Sequence, residues 1–430
     1  MIIQTVYKFQ LKTFPNGLRI LMVPSKESLS FQAMVLVNTG TDFESKNING
    51  ISHFLEHMCF KGTKKRPSNL EITQVLDNVG GSYNAFTSDE ITGYWAKVAA
   101  KDKDLALDIV SDIYLNSQFP EKEIEKEKGV IIEEINMYRD IPQHYIWDLW
   151  HKLLYGNQPA GWSTLGVKQN IKKFRRENFL KYHLNQYRSK STLVVISGNF
   201  QKKEIIEKIK NGFENMSQGE RQNKIRTKEK QNRPQVLLEE KKTDQAHLLL
   251  GVRGINLFDK RRYALDILDA VFDGGMSGIL FQTVREKLGA AYYISSIVSY
   301  NSDYGFWAVK AGIDNNRLET ILEAILKEWK RLKISLLAPK EITKAKNYLY
   351  GKIALSMENV HEVANDLSYQ ELLKKEIETP QEYLQNIKKV TAYDLRKVAR
   401  DLLIPRHLNL TLISPYKNKE KLVKLLKNNF

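Results

Sequence analysis

Residues 49–63 read NGISHFLEHMCFKGT, and the five at their centre, His53-Phe54-Leu55-Glu56-His57, decide how the rest of the chain is read. The segment Gly50–Phe60 is expected to be a helix. On a helix, two histidines four residues apart lie on one face, one turn from each other, where both imidazoles can ligate a single metal ion. Zinc suits such a pair once a carboxylate joins it, because a tetrahedral nitrogen and oxygen site leaves one position open. Glu56 reaches the same face and is placed to take a proton from water at the metal. With only eight histidines in the chain, a chance match to this pattern is expected on the order of one time in a hundred. Cys59 falls about 200° round the helix from His57 and reads as a small core residue. His144, His151, His183, His247, His361 and His407 show no ligand spacing with a nearby carboxylate and read as structural or exposed.

A third ligand is sought downstream, in the acidic helix that opens at Glu121 and runs through EKEIEKEKGVIIEE. Glu127 and Glu134 are seven residues apart, two turns that return to nearly the same face. Ile124, Val130, Ile131, Ile132 and Ile135 are expected to pack much of this helix, which leaves Glu134 partly buried and in need of a cation. Spacing leaves Glu133 and Glu134 both open.

Around these two helices the chain alternates strand and helix. Val6–Thr13 and Leu18–Val23 flank an Asn16-Gly17 turn. Phe31–Asn38, almost continuously apolar, reads as a central strand. Ser68 and Glu71 form a capping box for a helix over Leu70–Val79, and strands follow at Ser82–Phe86 and Ile91–Val98. Helices are expected at Leu105–Leu115, at Glu121–Arg139 with Pro120 at its first position, and at Tyr145–Tyr155. Residues 215–234, NMSQGERQNKIRTKEKQNRP, are polar and charged and read as a linker. The chain on either side looks repeated: Phe31–Gly40 resembles Gln245–Gly254, and the helix and strand 177–198 resemble 392–414. The expected fold is α+β, with two homologous domains, each a mostly antiparallel sheet backed by helices, over residues 1–214 and 235–430.

The stretch Asn49–Thr63 closely resembles the motif of the pitrilysin/insulinase family of inverted zinc peptidases. The resemblance implies a glutamate ligand 77 residues after the second histidine, which is Glu134 here, and an auxiliary glutamate at Glu127 that supports the site. Gly80–Thr87 (GGSYNAFT) resembles the family's substrate-binding edge strand, so Asn84, Ala85, Phe86 and Thr87 would present backbone groups to an extended peptide. Asp273–Tyr292 (DGGMSGILFQTVREKLGAAY) resembles a glycine-rich segment whose arginine and tyrosine match Arg285 and Tyr292. By that likeness Arg285 binds substrate oxygen and Tyr292 donates to the oxyanion. Gly278-Ile279 and Ala290 depart from the family's usual residues, and none is a proposed catalytic position. Members of this length resemble half of a clamshell, which implies a homodimer enclosing a chamber, with Arg285 and Tyr292 acting in trans.

Composition narrows the alternatives. One cysteine permits no intrachain disulfide and no cysteine metal cage. The opening MIIQTVYKFQLKTF lacks the charged, apolar and small-residue regions of a signal peptide and reads as a strand. No apolar run approaches a membrane span, and the expected location is the cytoplasm. The net charge of +16 comes from Lys and Arg spread along the whole chain, without the basic and aromatic stripe of a nucleic-acid binder. The expected function is a zinc metalloendopeptidase acting on unfolded peptides. The alternative is a catalytically silent scaffold of the same fold.

Overall fold

The computed structural model describes residues 8–429. Its first half is built on a six-stranded sheet of β1 (Gln10–Thr13), β2 (Arg19–Pro24), β3 (Ser30–Val37), β4 (Ser82–Thr87), β5 (Thr92–Ala99) and β6 (Thr192–Gly198). Their spatial order is β1-β2-β6-β3-β5-β4. The first expected strand is shorter than read, starting at Gln10, and Val6 and Tyr7 lie outside the described residues. Gly17 takes a φ of +87° at the turn between β1 and β2, a conformation only glycine adopts without strain. Central β3 is buried along nearly its whole length, as its apolar run requires. The helices that matter below are α1 (Ile51–Cys59), α2 (Glu121–Asp140), α3 (Pro142–Tyr155) and α4 (Arg176–Gln186). Pro120 caps α2 from outside rather than sitting at its first position, and its extended ψ keeps it out of the helix.

The second half has a five-stranded sheet of β7 (Gln235–Glu240), β8 (Gln245–Arg253), β9 (Ala291–Tyr300), β10 (Gly305–Asp314) and β11 (Leu408–Ser414), ordered β7-β11-β8-β10-β9. With it come α5 (Arg262–Asp273), α6 (Val360–Lys374) and α7 (Ala392–Leu402). The sheets correspond strand for strand: β2, β6, β3, β5 and β4 match β7, β11, β8, β10 and β9. Each has one parallel pair, β2 with β6 and β7 with β11, and is otherwise antiparallel. The repeated segments of the sequence fall on β3 and β8, and on α4–β6 and α7–β11.

Each half lends a helix to the other. In the first sheet, Ile20 and Met22 point into one core while Leu21 and Val23 point to the opposite face, following the two-residue period of a strand. That opposite face is covered by Val360, Val363, Ala364 and Leu367 of α6, from the second half. Reciprocally, Ile146, Leu149, Trp150 and Leu154 of α3 cover Leu249, Phe306, Ala308 and Ile413 of the second sheet. Polar contacts fix the seam: Arg19 Nη1 lies 2.6 Å from Glu371 Oε1, and the ring of His361 bonds Ser30 and Ser197 at 2.8 and 2.7 Å.

Residues 217–234 contain no helix or strand, yet they are held at the junction. Lys224 Nζ sits 2.6 Å from both Glu90 and Asp303 and 3.3 Å from Asp42, so carboxylates of both halves surround it. Among the described residues, no helix is long and apolar enough to cross a membrane.

Candidate metal centre

Three elements converge on the site. Helix α1 supplies His53 and His57, which lie on one face with ring centroids 4.6 Å apart. Its opposite side, with Phe54, Leu55, Met58 and Cys59, is fully buried in the first core. Helix α2 brings Glu134. It is anchored by Ile124, Ile131 and Ile135, residues seven and four apart that form its one buried line. Val130 stands outside that line and is 52% exposed, contrary to expectation.

Glu134 Oε2 lies 3.6 Å from His53 Nε2 and 3.7 Å from His57 Nε2. A tetrahedral zinc ion with ligand bonds of about 2.0–2.1 Å requires donor atoms about 3.4 Å apart. Both distances are near that value and all three donor atoms lie within 4.8 Å of one another, so they could close on one zinc ion, and two imidazoles with one carboxylate are a donor set zinc takes. Glu133, the other candidate on spacing, is exposed.

The surroundings favour ligation. His57 Nδ1 donates to Glu127 Oε1 at 2.9 Å, which fixes the ring and leaves Nε2 toward Glu134. Glu127 is itself held by Lys61 Nζ at 2.7 Å. Burial opposes a charged Glu127, but the bonds from His57 and Lys61 outweigh it and hold the carboxyl below its usual range. Burial, and then the charge of His57, push His53 down to about 3, so that it offers a free lone pair. Among the described residues, His53 Nδ1 is buried without a hydrogen-bond partner. For His57, burial is overcome by the bond to Glu127 and the charges of Glu56, Glu127 and Glu134, and its pKa is raised. Burial raises Glu134 and Glu56 as well.

Glu56 lies beside His57 and accepts a 2.6 Å hydrogen bond from the Thr87 hydroxyl. Thr87 ends β4, an edge strand of the first sheet. Asn84, Ala85, Phe86 and Thr87 line one side of a groove of about 620 Å³ that contains His53, Glu56, His57 and Glu134. The Ala85 N–H is bonded by the Asn84 side chain at 2.9 Å. The Phe86 ring faces away from α1 and stacks on Tyr369 of α6, with centroids 6.3 Å apart.

Arg285 and Tyr292 do not line this groove. Arg285 is on a π-helical segment, Phe281–Lys287, with its guanidinium 5.2 Å from the Phe281 ring centroid. Tyr292 is 65% exposed near the start of β9, the edge strand of the other sheet. The groove also includes Tyr138, His144, Trp147 and Asp148; of these the sequence reading named only His144, as structural or exposed. His144, Trp147 and Asp148 lie three and four residues apart at the start of α3, so their common face was the available signal. Cys59 is buried in contact with the Tyr94 hydroxyl and takes no part.

A helix-borne pair of histidines and a distant glutamate, set beside an open strand edge, define a metallopeptidase-like centre. Comparison with known proteins gives the family. Residues 19–168 match the profile described as Insulinase (Peptidase family M16), and residues 173–349 match that described as Peptidase M16 inactive domain. A protein named "Uncharacterized zinc protease YmxG" from Bacillus subtilis is 35% identical over 94% of this chain and 98% of its own length. "Uncharacterized zinc protease SCO5738" from Streptomyces coelicolor is 33% identical over 95% of this chain and 90% of its own. A solved structure of a protease from Helicobacter pylori superposes with a TM-score of 0.88 at 23% identity, covering 95% of this chain and all of that one. The chain belongs to the insulinase family, peptidase family M16.

Proposed function

We propose that this protein is a zinc-dependent endopeptidase acting on unfolded peptides. The observation that carries the reading is the convergence of His53, His57 and Glu134 within zinc-ligand spacing, with Glu56 beside them at an open strand edge. The family and the names of its relatives support a zinc protease. The matched "inactive domain" profile covers residues 173–349, whereas all three proposed ligands lie within 19–168. The silent-scaffold alternative therefore gains no support from it.

His53, His57 and Glu134 would hold the zinc, which when bound supplies Lewis-acid polarisation and lowers the pKa of water. Glu56 takes the proton from the attacking water and returns it to the leaving amine. Burial already raises the Glu56 carboxyl toward the range in which it can do both. An extended peptide pairs with the free side of β4, its backbone competing with the Asn84 side chain for the Ala85 N–H. Glu127 keeps His57 in register.

Arg285 and Tyr292 lie outside the groove of their own chain, which supports the reading that a second copy supplies them. In that homodimer Arg285 binds substrate oxygen and Tyr292 donates to the oxyanion. Glu56→Gln and Tyr292→Phe chains, each inactive alone, then recover part of the activity when mixed. Proven mixed dimers without activity would remove the trans arrangement. The single buried cysteine supports a reducing compartment such as the cytoplasm.

The reading is tested with a pool of unstructured peptides, comparing wild type with Glu56→Gln purified identically and assayed for bound zinc. Cleavage by wild type alone supports it. Equal cleavage by both, or by neither with zinc bound, overturns it.

A further inference from the structure

The base at Glu56 and the strand that would take the peptide are joined by one hydrogen bond, from Thr87. Along β4 the side chains alternate: Tyr83 and Ala85 pack against the core on the α1 side, and Phe86 packs against the α6 side. The pleat therefore turns Thr87 toward α1, where its Oγ1 donates to Glu56 Oε2 at 2.6 Å. A hydroxyl donating to a carboxylate at that distance is a short, charge-assisted bond. It occupies one carboxylate oxygen and leaves Oε1 for the reacting proton.

The end of the strand is itself held firmly. Thr87 pairs with Thr92 of β5, and the turn between them is closed by Ser88 N–H donating to Ile91 O at 2.8 Å. Glu90 in that turn takes the Lys224 ammonium and the Ser302 N–H, both from beyond the first half. Thr87 thus hangs from a backbone fixed on three sides, as a group that orients a catalytic side chain must be.

Resting on the peptidase reading above, we propose that Thr87 is a positioning residue. Its hydroxyl holds the Glu56 carboxylate in the orientation for proton transfer, so the strand that receives the peptide also sets the base. Nothing is transferred through Thr87: its proton stays on Oγ1 while Glu56 gains and loses one at Oε1. The Thr87 methyl is not required.

Two variants separate this role from simple strand packing. Thr87→Val keeps the shape and β-branching and removes the hydroxyl. Thr87→Ser keeps the hydroxyl and removes the methyl. If the hydroxyl orients Glu56, Thr87→Val lowers kcat by about tenfold to a hundredfold, the worth of one hydrogen bond to a charged group. KM and zinc content stay unchanged, and Thr87→Ser remains close to wild type. If Thr87 only packs the strand, the order reverses, Val behaving as wild type and Ser as the damaged variant, and the proposal fails. Crystal structures of both variants give a readout independent of turnover. The Glu56 carboxylate is displaced in Thr87→Val and retained in Thr87→Ser if the proposal holds, and an unmoved carboxylate in Thr87→Val overturns it. Should wild type cleave no peptide with zinc bound, the peptidase reading falls, and these structures alone decide the role of Thr87.

Discussion

In the first half, the helix that packs against edge strand β4 is α1, and its polar groups point at one another across a gap. In the second half, the helix that packs against the equivalent edge strand β9 is α5, and its polar groups are all satisfied. Asp266 accepts from the hydroxyls of Tyr300 and Tyr383 at 2.6 and 2.7 Å. Asp269 accepts from the Trp307 indole at 2.8 Å, and Asp273 from the Ser296 N–H at 2.7 Å. One topology thus serves two ends. Where hydroxyl and indole donors saturate the carboxylates, the helix is bound to its sheet. Where lone pairs converge, as at His53, His57 and Glu134, the cluster could hold a cation.

The contrast breaks most directly at the proposed ligands. Glu134→Gln is expected to weaken zinc binding by more than the about 10–100-fold that loss of an outer partner costs, read by competition with a chelator. Full zinc affinity in that variant would mean that the convergent atoms are not the site.

At the junction of the halves, Lys224→Met leaves Asp42, Glu90 and Asp303 facing each other without their cation. Urea unfolding at pH 7 is expected to show a loss of about 3–5 kcal/mol. A loss below about 1 kcal/mol would equate Lys224 with a surface pair.

Within α5, burial raises Asp269 from its ordinary 3.8 to about 6. The folded state then holds that proton at a higher pH than the unfolded chain, so wild-type stability falls as pH rises from about 4 to about 6. Asp269→Asn lacks this proton. Relative to it, wild type should lose about 2–3 kcal/mol over that interval, measured by denaturation at both ends. Parallel curves would show that Asp269 ionises as it does in water. The smallest effect is expected at Val130, on the exposed face of α2, where Val130→Lys should shift stability by no more than about 0.5 kcal/mol.

Contiguous patterns were readable from the residues alone. His53, Glu56 and His57 share a face because of their spacing, and the β3–β8 likeness exposed the repeat. Glu134 was separated from Glu133 only by family resemblance, since either lies on a usable turn. Three features depend on tertiary placement that no local pattern encodes. The apolar stripes of α3 and α6 show that each helix covers something, not that it covers the other half's sheet. Family resemblance marked Thr87 only for its backbone, and the partner of its hydroxyl is hidden until α1 is laid beside it. Lys224 sits in a polar run that looks solvated, and only the meeting of three carboxylates from distant segments buries it.

The exchange of α3 and α6 also bears on how this chain could be divided. A cut within residues 217–234 severs the covalent path but leaves the packing of α3 and α6 across the halves intact, so a nicked molecule should still elute as one particle. A gene ending near the same point would yield a fragment with Leu21, Val23, Met34 and Leu36 bare on one face of its sheet, prone to aggregate until its other piece arrives. The halves are thus separable in sequence but obligate partners in folding, and two-piece reconstitution, rather than isolated domain expression, is the way to obtain them apart.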